Sequence, residues 1–355
     1  DIDSAILAVD ATLRNPTDRK VNLPTEDLSN NRPQMKTLES LLIDYLDSQG
    51  FIYDGQTTVA SIFIMDLISG EEINILGDVA YSAASTIKVP IMIDFYRTLA
   101  FEPSQEEAWL LANSLLCSNN SSSNLIMQII GLNDIFAGIQ SVTETAQYIG
   151  AKNTYITAPF YLGVEGQQLG SIAAPATNPN PNYNTNPDPF NQTTSEDMGT
   201  LFNLIYDCAE FGSGLTATYP DGEITQRECK QMLELMSANN LERLLQGVIP
   251  LNARISHKNG WIFDTVGDSG VVYSPNGNDY VISVYLWEEA EFQDYEKLWP
   301  LVEEISRATW NYFNPENALI ELRDLPATAQ ECEGNYLPPS PELVNLDDID
   351  SWRNN

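Results

Sequence analysis

The chain has 355 residues, which is long enough for one large domain or two lobes with a substantial core. Its 50 acidic and 17 basic residues give a formal net charge of −33, and a field of that sign repels nucleic acids and anionic membrane surfaces. No apolar run approaches the roughly 18 residues that a membrane-spanning helix needs. Nucleic acids and membranes are therefore not expected as partners.

Apolar periodicity predicts the elements of the first part of the chain. Residues 1–34 carry little periodicity and are predicted to form an N-terminal extension. A helix is expected at 36–48, followed by a hairpin of two strands at 57–67 and 71–76 that turns at Ser69-Gly70. Helices then follow at about 85–100, 105–117 and 123–130.

A long irregular excursion is expected at about 157–192, because residues 175–191 are rich in proline and asparagine. Such a loop is either functional or a disordered insertion. Helices are predicted at 196–211 and 226–236, strands at 254–263, 269–274 and 280–287, and a closing helix at about 292–313. Residues 315–355 are acidic and contain prolines, and are predicted to be an appended C-terminal tail.

This order of elements predicts a mixed α/β fold of the α+β type. Five strands would form an antiparallel sheet flanked by helices, within a domain spanning 35–314. An all-helical lobe at about 89–250 would be inserted between the second and third strands. The cleft between the sheet and this lobe is the expected place for a site.

The four cysteines form no C-x-x-C pair, and with a single histidine the chain offers few zinc ligands. No metal or cofactor is therefore expected. Cys208 and Cys229 flank a glycine-containing loop and could form a disulfide in an oxidising compartment, but four cysteines allow three pairings. The chain starts at Asp1 without a methionine, as expected for a mature secreted or periplasmic protein whose signal peptide has been removed.

Ser85 and Lys88 are the first candidates for catalysis. Residues three apart lie on the same side of a helix, so the lysine can reach the serine hydroxyl. If Ser85 opens the helix, the free N–H groups and the dipole favour an alkoxide there. Burial would keep the Lys88 amine neutral and able to accept the hydroxyl proton. An S-x-x-K tetrad alone is a weak signal, since an ordinary helix start produces it as well.

Two further motifs follow in order: Ser118-Asn119-Asn120 and Lys258-Asn259-Gly260. Together with Ser85-x-x-Lys88 they resemble the S-x-x-K, S-D-N and K-T-G signatures of the penicillin-recognising serine enzymes, in particular class A β-lactamases. The likeness extends to Asn124-Leu125-Ile126, Thr193-Thr194 and His257-Lys258-Asn259-Gly260-Trp261, and covers roughly residues 36–314. The resemblance implies a β-lactamase/transpeptidase-like fold and a small β-lactam or peptidoglycan-like amide or ester as substrate. A monomer is expected.

The resemblance also implies roles for individual residues. Ser85 would be the acylated nucleophile and Lys88 its general base or proton relay. Ser118 would pass the proton to the leaving nitrogen, helped by the positive charge of Lys258. The backbone N–H groups of Ser85 and Trp261 would form the oxyanion hole. Substrate would be bound by Asn120, Asn259 and Gly260.

The chain also departs from the family pattern. Asn119 replaces the aspartate of the second motif and Asn259 the threonine of the third. No lysine or arginine occurs from Asn259 to Glu296, so the usual arginine that anchors the substrate carboxylate is missing, with Arg254 as a possible substitute. Phe160 stands where the deacylating glutamate of the family would be, and Glu165 is the nearest carboxylate that follows.

Three functions remain open at this point. The first is a class A-like β-lactamase, in which Glu165 or another group activates water. The second is a penicillin-binding DD-peptidase or esterase-like enzyme that deacylates slowly. The third is a catalytically retired ligand-binding domain. His257, the only histidine, is expected to be a packed structural residue because it points away from the face of Lys258 on the strand.

Overall fold

The computed structural model describes residues 34–51, 57–164, 170–320, 323–329, 331–332 and 340–353. The described strands are, in chain order, β1 (Thr58–Asp66), β2 (Glu72–Ile75), β3 (Tyr81–Ser82), β4 (Tyr155–Ile156), β5 (Asn191–Thr193), β6 (Arg254–Trp261), β7 (Thr265–Tyr273) and β8 (Tyr280–Glu288). Five of them form an antiparallel sheet in the order β2-β1-β8-β7-β6, and the short strands form a second sheet in the order β3-β5-β4.

The described α-helices are α1 (Met35–Ser48), α2 (Lys88–Thr98), α3 (Gln105–Leu116), α4 (Asn120–Ile130), α5 (Ile135–Tyr148), α6 (Ser195–Phe211), α7 (Leu215–Thr218), α8 (Gln226–Ser237), α9 (Leu244–Gly247), α10 (Tyr295–Phe313) and α11 (Asp350–Arg353). Helices α2 to α9 lie in sequence between the hairpin β1–β2 and the strands β6–β8. This arrangement confirms the predicted α+β fold with an antiparallel five-stranded sheet flanked by helices. The insertion is not all-helical as predicted, because the short strands β4 and β5 lie within it and pair with each other.

The sheet is buried on both faces by two separate apolar clusters. Alternate side chains of β1 point to opposite faces, so Val59 and Phe63 join the cluster of the helical lobe. Ala60, Ile62 and Ile64 join the other cluster, which includes residues of α1 and α10. The nearly continuous apolar sequence of the central strands follows from this double burial.

Helix α5 and the start of strand β7 differ from the prediction, and local chemistry explains both differences. Helix α5 was not predicted, although Asp134 caps it by accepting from the N–H groups of Phe136 and Ala137. Strand β7 begins at Thr265, four residues before its predicted start. A tight turn follows β6, in which the N–H of Ile262 donates to the carbonyl of Thr265, so pairing with β6 resumes at once.

The proline- and asparagine-rich run is irregular and largely exposed, but hydrogen bonds attach it to the rest of the fold. Its backbone and side chains bond to the segment that leads to Ser85: Thr185 Oγ1 donates to the carbonyl of Ala80, and the N–H of Asp188 donates to Ser82 Oγ. Asn180 bonds to Asp78 in the same way. The run therefore lies along the segment that leads to the nucleophile.

The described residues of the predicted C-terminal tail contact the rest of the domain at two places. Arg243, which forms a buried ion pair with Glu303, also donates to the carbonyl of Pro326. Further on, Arg227 and Gln231 of α8 bind the carboxylate of Asp347. Four apolar side chains of this last segment are buried in the cluster of the helical lobe: Val344, Leu346, Ile349 and Trp352. Two disulfides are present, Cys117–Cys332 and Cys208–Cys229, which is one of the three pairings that the sequence left open.

Within the described ranges, no single helix is both long and apolar enough to cross a membrane. Helices α4 and α5 pass that test only as a pair, with an 87° bend between them. Residues of both helices belong to the buried cluster of the helical lobe.

Candidate active site

The first motif lies at the start of a helix. Ser85 is in a 3₁₀ turn (Ala84–Ile87) that runs directly into α2, and Lys88 is the first residue of α2. Lys88 Nζ lies 3.0 Å from Ser85 Oγ. Ala84 has a φ of 48°, a conformation that a non-glycine residue adopts at a cost of about 1–3 kcal/mol. The strained residue directly precedes the serine and sets the direction in which it points.

The turn carrying Ser85 is held on both sides. On one side Asn191 of β5 donates from Nδ2 to the carbonyl of Ala84, and its own carbonyl accepts from the N–H of Ala83. On the other side the buried Tyr285 hydroxyl of β8 donates to Thr86 Oγ1 at 2.7 Å. These bonds fix the serine between the two sheets, while its own side chain remains partly accessible.

Lys88 Nζ is surrounded by four oxygen atoms. Besides Ser85 Oγ, they are the carbonyl oxygen of Ser118 at 2.5 Å, Ser118 Oγ at 3.2 Å and Asn120 Oδ1 at 3.0 Å. The carbonyl and the amide oxygen can only accept, so they can take the two hydrogens of a neutral amine. The nitrogen lone pair is then available to a serine hydroxyl.

The environment favours that neutral form. Lys88 is fully buried, and burial is the main cause that lowers its pKa well below the ordinary value for lysine. The positive charge of Lys258 lowers the pKa of Lys88 further, and the carboxylate of Glu331 opposes the shift. The aromatic ring of Phe160, centred 5.0 Å from Nζ, contributes an apolar neighbour.

Ser118 joins the two lysines. Its Oγ lies 3.2 Å from Lys88 Nζ and 3.2 Å from Lys258 Nζ, and its φ is 51°. Lys258 is 1% exposed, and burial lowers its pKa too, against the opposing effects of Glu331 and Asp268. A chain of polar contacts therefore runs from Ser85 through Lys88 and Ser118 to Lys258.

The second motif is positioned by a helix cap. Asn119 Oδ1 accepts from the N–H of Ser122, which caps α4. Asparagine performs this role as well as aspartate does, so the replacement leaves the geometry intact. Asn120, the first residue of α4, is thereby directed at Lys88.

The third motif approaches the nucleophile at Gly260. Strand β6 forms one edge of the five-stranded sheet, and a Cβ placed on Gly260 would lie 2.6 Å from the backbone nitrogen of Ser85 and 3.0 Å from that of Thr86. Only glycine allows this approach.

Replacing Gly260 with alanine is expected to separate β6 from the turn of Ser85. The cost to stability should be about 1–3 kcal/mol, as for other overpacked sites. The rate of acylation should fall by more than this loss of stability explains, because the backbone donors near Ser85 are displaced. Thermal unfolding and acylation rates, measured on the same samples, check this. An unchanged acylation rate in a folded protein would contradict the close approach.

Other candidates are placed away from this chain of contacts. The Trp261 ring packs on Trp299, so only the backbone of Trp261 can serve the site. His257 is fully buried, with Nδ1 3.0 Å from Asp268 Oδ1 and Nε2 3.3 Å from the carbonyl of Asn239. Arg254 pairs with Glu234 at 2.9 Å and lies over the Tyr273 ring, four residues from Lys258 along β6.

The loop that would carry a deacylating glutamate presents a phenylalanine. Asn124 holds this loop by accepting from the N–H of Phe160 at 2.8 Å and donating to its carbonyl at 2.9 Å. The Phe160 ring therefore faces Lys88. Glu165, the candidate deacylation base, lies outside the described residues.

Two residues of the site, Asn239 and Glu331, were not predicted. Asn239 Nδ2 lies 3.2 Å from Asn259 Oδ1, which turns the Nδ2 group of Asn259 toward the site. That Nδ2 donates to Glu331 Oε1 at 2.8 Å. Neither contact has a signal in the sequence, because each joins segments that only the fold brings together. In the part of the chain that the structure describes, no three His, Cys, Asp or Glu side chains are grouped to hold a metal ion.

The family and structure comparisons agree with this architecture. The model of the beta-lactamase enzyme family matches residues 48–105 and 107–313. A search of curated proteins finds no match. Among solved structures, the chain is similar to PBP-A, with 21% identity, a TM-score of 0.56, and coverage of 83% of this chain and 100% of that one.

Two β-lactamases are similar at the level of the fold. The enzyme from Sphaerobacter thermophilus has 17% identity and a TM-score of 0.56, with coverage of 79% of this chain and 97% of the other. A class A representative from Bacteroides cellulosilyticus has 15% identity and a TM-score of 0.57, with coverage of 78% and 97%. With the family model matching most of the chain, the protein belongs to the beta-lactamase enzyme family and is a divergent member of the β-lactamase/DD-peptidase superfamily.

Proposed function

We propose that the protein is a serine hydrolase that forms an acyl-enzyme on Ser85 with a β-lactam or a related amide or ester. The contact of a buried amine of lowered pKa with the serine hydroxyl carries the proposal: Lys88 Nζ lies 3.0 Å from Ser85 Oγ. Such a pair activates a nucleophile without histidine. A small-molecule substrate at Ser85 is in keeping with the family.

In the proposed reaction Ser85 Oγ attacks the carbonyl carbon and its proton passes to Lys88 Nζ. The backbone N–H groups of Ser85 and Trp261 bind the developing oxyanion. Ser118 Oγ, in contact with both lysines, relays a proton to the leaving nitrogen as the C–N bond breaks. Asn120 and the backbone at Gly260 hold the substrate, and Asn259 and Lys258 offer donors to a substrate anion.

Slow deacylation is the second part of the proposal, and Phe160 supports it. An aromatic ring beside Lys88 cannot remove a proton from water, whereas a carboxylate could. The acyl-enzyme would then persist, as in a penicillin-binding enzyme. If deacylation is fast instead, Glu165 is the residue that we propose as its general base. A retired binding domain is less well supported, because it has no need for two buried amines, which are costly to bury.

Mass spectrometry of the intact protein tests the proposal. The chain is incubated with a fluorescent penicillin and with nitrocefin, beside the Ser85→Ala variant. A lasting adduct that is absent from Ser85→Ala is expected. An adduct that clears rapidly with colour change would show that another group activates water. No adduct with either probe or with simple esters would refute the acyl-enzyme.

A secreted or periplasmic location is proposed as well, supported by the two disulfides.

A further inference from the structure

The carboxylate of Glu331 lies where the proposed function needs the anion of a substrate. Its Oε1 accepts a hydrogen bond from Asn259 Nδ2 at 2.8 Å and lies 3.7 Å from Lys258 Nζ. These two residues of the third motif are the groups proposed above to receive a substrate anion. The Glu331 side chain is only 22% exposed, so it fills this position and does not merely border it.

Glu331 is held in this position from both sides. The next residue, Cys332, is bonded to Cys117, which directly precedes Ser118 of the second motif. Upstream, Arg243 Nη1 donates to the carbonyls of Pro326 and Ala327. A group tethered this closely acts at an effective concentration on the order of millimolar or more. A free anion must displace it to reach Lys258.

The surrounding charges leave few alternatives for a substrate carboxylate. Arg254, the possible substitute anchor, is paired with Glu234, and its position on β6 is about 13 Å from Lys258 at roughly 3.3 Å per residue. A second carboxylate beside Glu331 would meet a like charge in a largely buried setting, which is strongly unfavourable. Asn239 fixes the Asn259 amide, so its donor is not free to turn elsewhere.

We infer that Glu331 is a specificity-determining residue that occupies the substrate-carboxylate subsite. With the Cys117–Cys332 bond intact, the enzyme selects acyl substrates that are neutral or cationic at this position, and disfavours those that carry a carboxylate there. The inference rests on the proposed acyl-enzyme at Ser85 and names the class of substrate that this site accepts.

The test compares two probes that differ only in this charge: nitrocefin, which carries the carboxylate, and its methyl ester. Acylation rates of the full chain are measured for the wild type, Glu331→Ala and Glu331→Gln. Glu331→Ala should raise the rate with nitrocefin about tenfold or more, because the repulsion and the competing group are both removed. At a pH above the lowered pKa of Lys88, the rate with the ester should change much less than the rate with nitrocefin, because the ester places no charge beside Glu331. Glu331→Gln should give a smaller gain, since its amide can keep the bond to Asn259.

Matched controls separate this role from a structural one. Glu316→Gln removes the same charge from an exposed side chain in the segment that follows α10 and should change neither rate. The double variant Cys117→Ser/Cys332→Ser releases the tether of Glu331. It should raise the acylation rate with nitrocefin, as Glu331→Ala does, more than the rate with the ester. Removing the carboxylate should also lower the pKa of Lys88. The pH at which acylation by the ester falls off on the acidic side should therefore move to a lower value.

The outcomes distinguish failure of this inference from failure of the proposed function. If both probes acylate Ser85 but Glu331→Ala changes their rates equally or not at all, the specificity role is wrong and the acyl-enzyme stands. If neither probe labels any variant at Ser85, the acyl-enzyme is wrong and the specificity role falls with it. A gain confined to nitrocefin supports both.

Discussion

Replacing Lys88 with methionine is expected to lower the rate of acylation of Ser85 by about 10² to 10⁴-fold, the range for loss of a positioned general base. Methionine keeps most of the side-chain volume, and the lysine is fully buried, so the core should stay packed. Acylation is measured with nitrocefin or its ester by stopped-flow absorbance or by mass spectrometry. Lys152→Met, at an exposed turn, is the matched control.

The pH dependence provides a second readout for Lys88. Burial and Lys258 lower the pKa of Lys88, so its amine remains neutral well below the ordinary lysine range. Acylation by the wild type should fall as the pH drops through this lowered pKa, because the protonated amine cannot accept the hydroxyl proton. The acylation rate of the Lys88→Met variant should not show this fall with pH. Full activity of Lys88→Met at neutral pH would show that another group removes the proton.

Replacing Phe160 with glutamate is expected to accelerate deacylation by about 10²-fold or more, the low end of the range for a general base. Asn124 holds the backbone of residue 160, so the new carboxylate would lie beside Lys88. Decay of the adduct is followed by mass spectrometry after excess probe is removed. The carboxylate should also raise the pKa of Lys88, so acylation should require a higher pH than in the wild type.

Two control variants make the Phe160 test specific. Phe160→Gln has the size of glutamate without its basicity and should leave the adduct as persistent as in the wild type. Glu165→Gln in the wild-type background should also leave deacylation slow. If Glu165→Gln instead abolishes a measurable turnover, Glu165 is the base and the role given to Phe160 is wrong.

The sequence allowed much of the fold to be predicted, because its signals are local. The apolar runs of β1 and β8, the capping residues and the three motifs all act over a few residues. The resemblance placed Ser85, Lys88, Ser118 and Lys258 in one site, and the structure brings these four side chains together. Their catalytic roles stay predictions. Helix α5 was missed although Asp134 and the spacing of Ile139, Val142 and Ala146 indicate it.

The remaining features depend on tertiary contacts that have no sequence pattern. Glu331 is one of many glutamates, and nothing near it indicates a partner 72 residues earlier in the chain. The pairing of Cys117 with Cys332 was one of several that the cysteine count allows. Asn239 acts on Asn259 from the loop after α8. The catalytic pair was therefore predictable from its motif, but the group that fills the neighbouring subsite was not.

The Cys117–Cys332 bond also affects the chain before it folds. It closes a covalent ring over a sequence separation of 215 residues, and this ring contains Ser118 and Lys258 but neither Ser85 nor Lys88. By the chain-entropy relation, a ring of this size lowers the conformational entropy of the unfolded chain and so stabilises the folded state by about 5 kcal/mol. The bond gives Ser118 and Lys258, which are 140 residues apart in the chain, a second and shorter covalent path through Cys332. The second and third motifs therefore stay closer together on average in the oxidised denatured protein than in the reduced one.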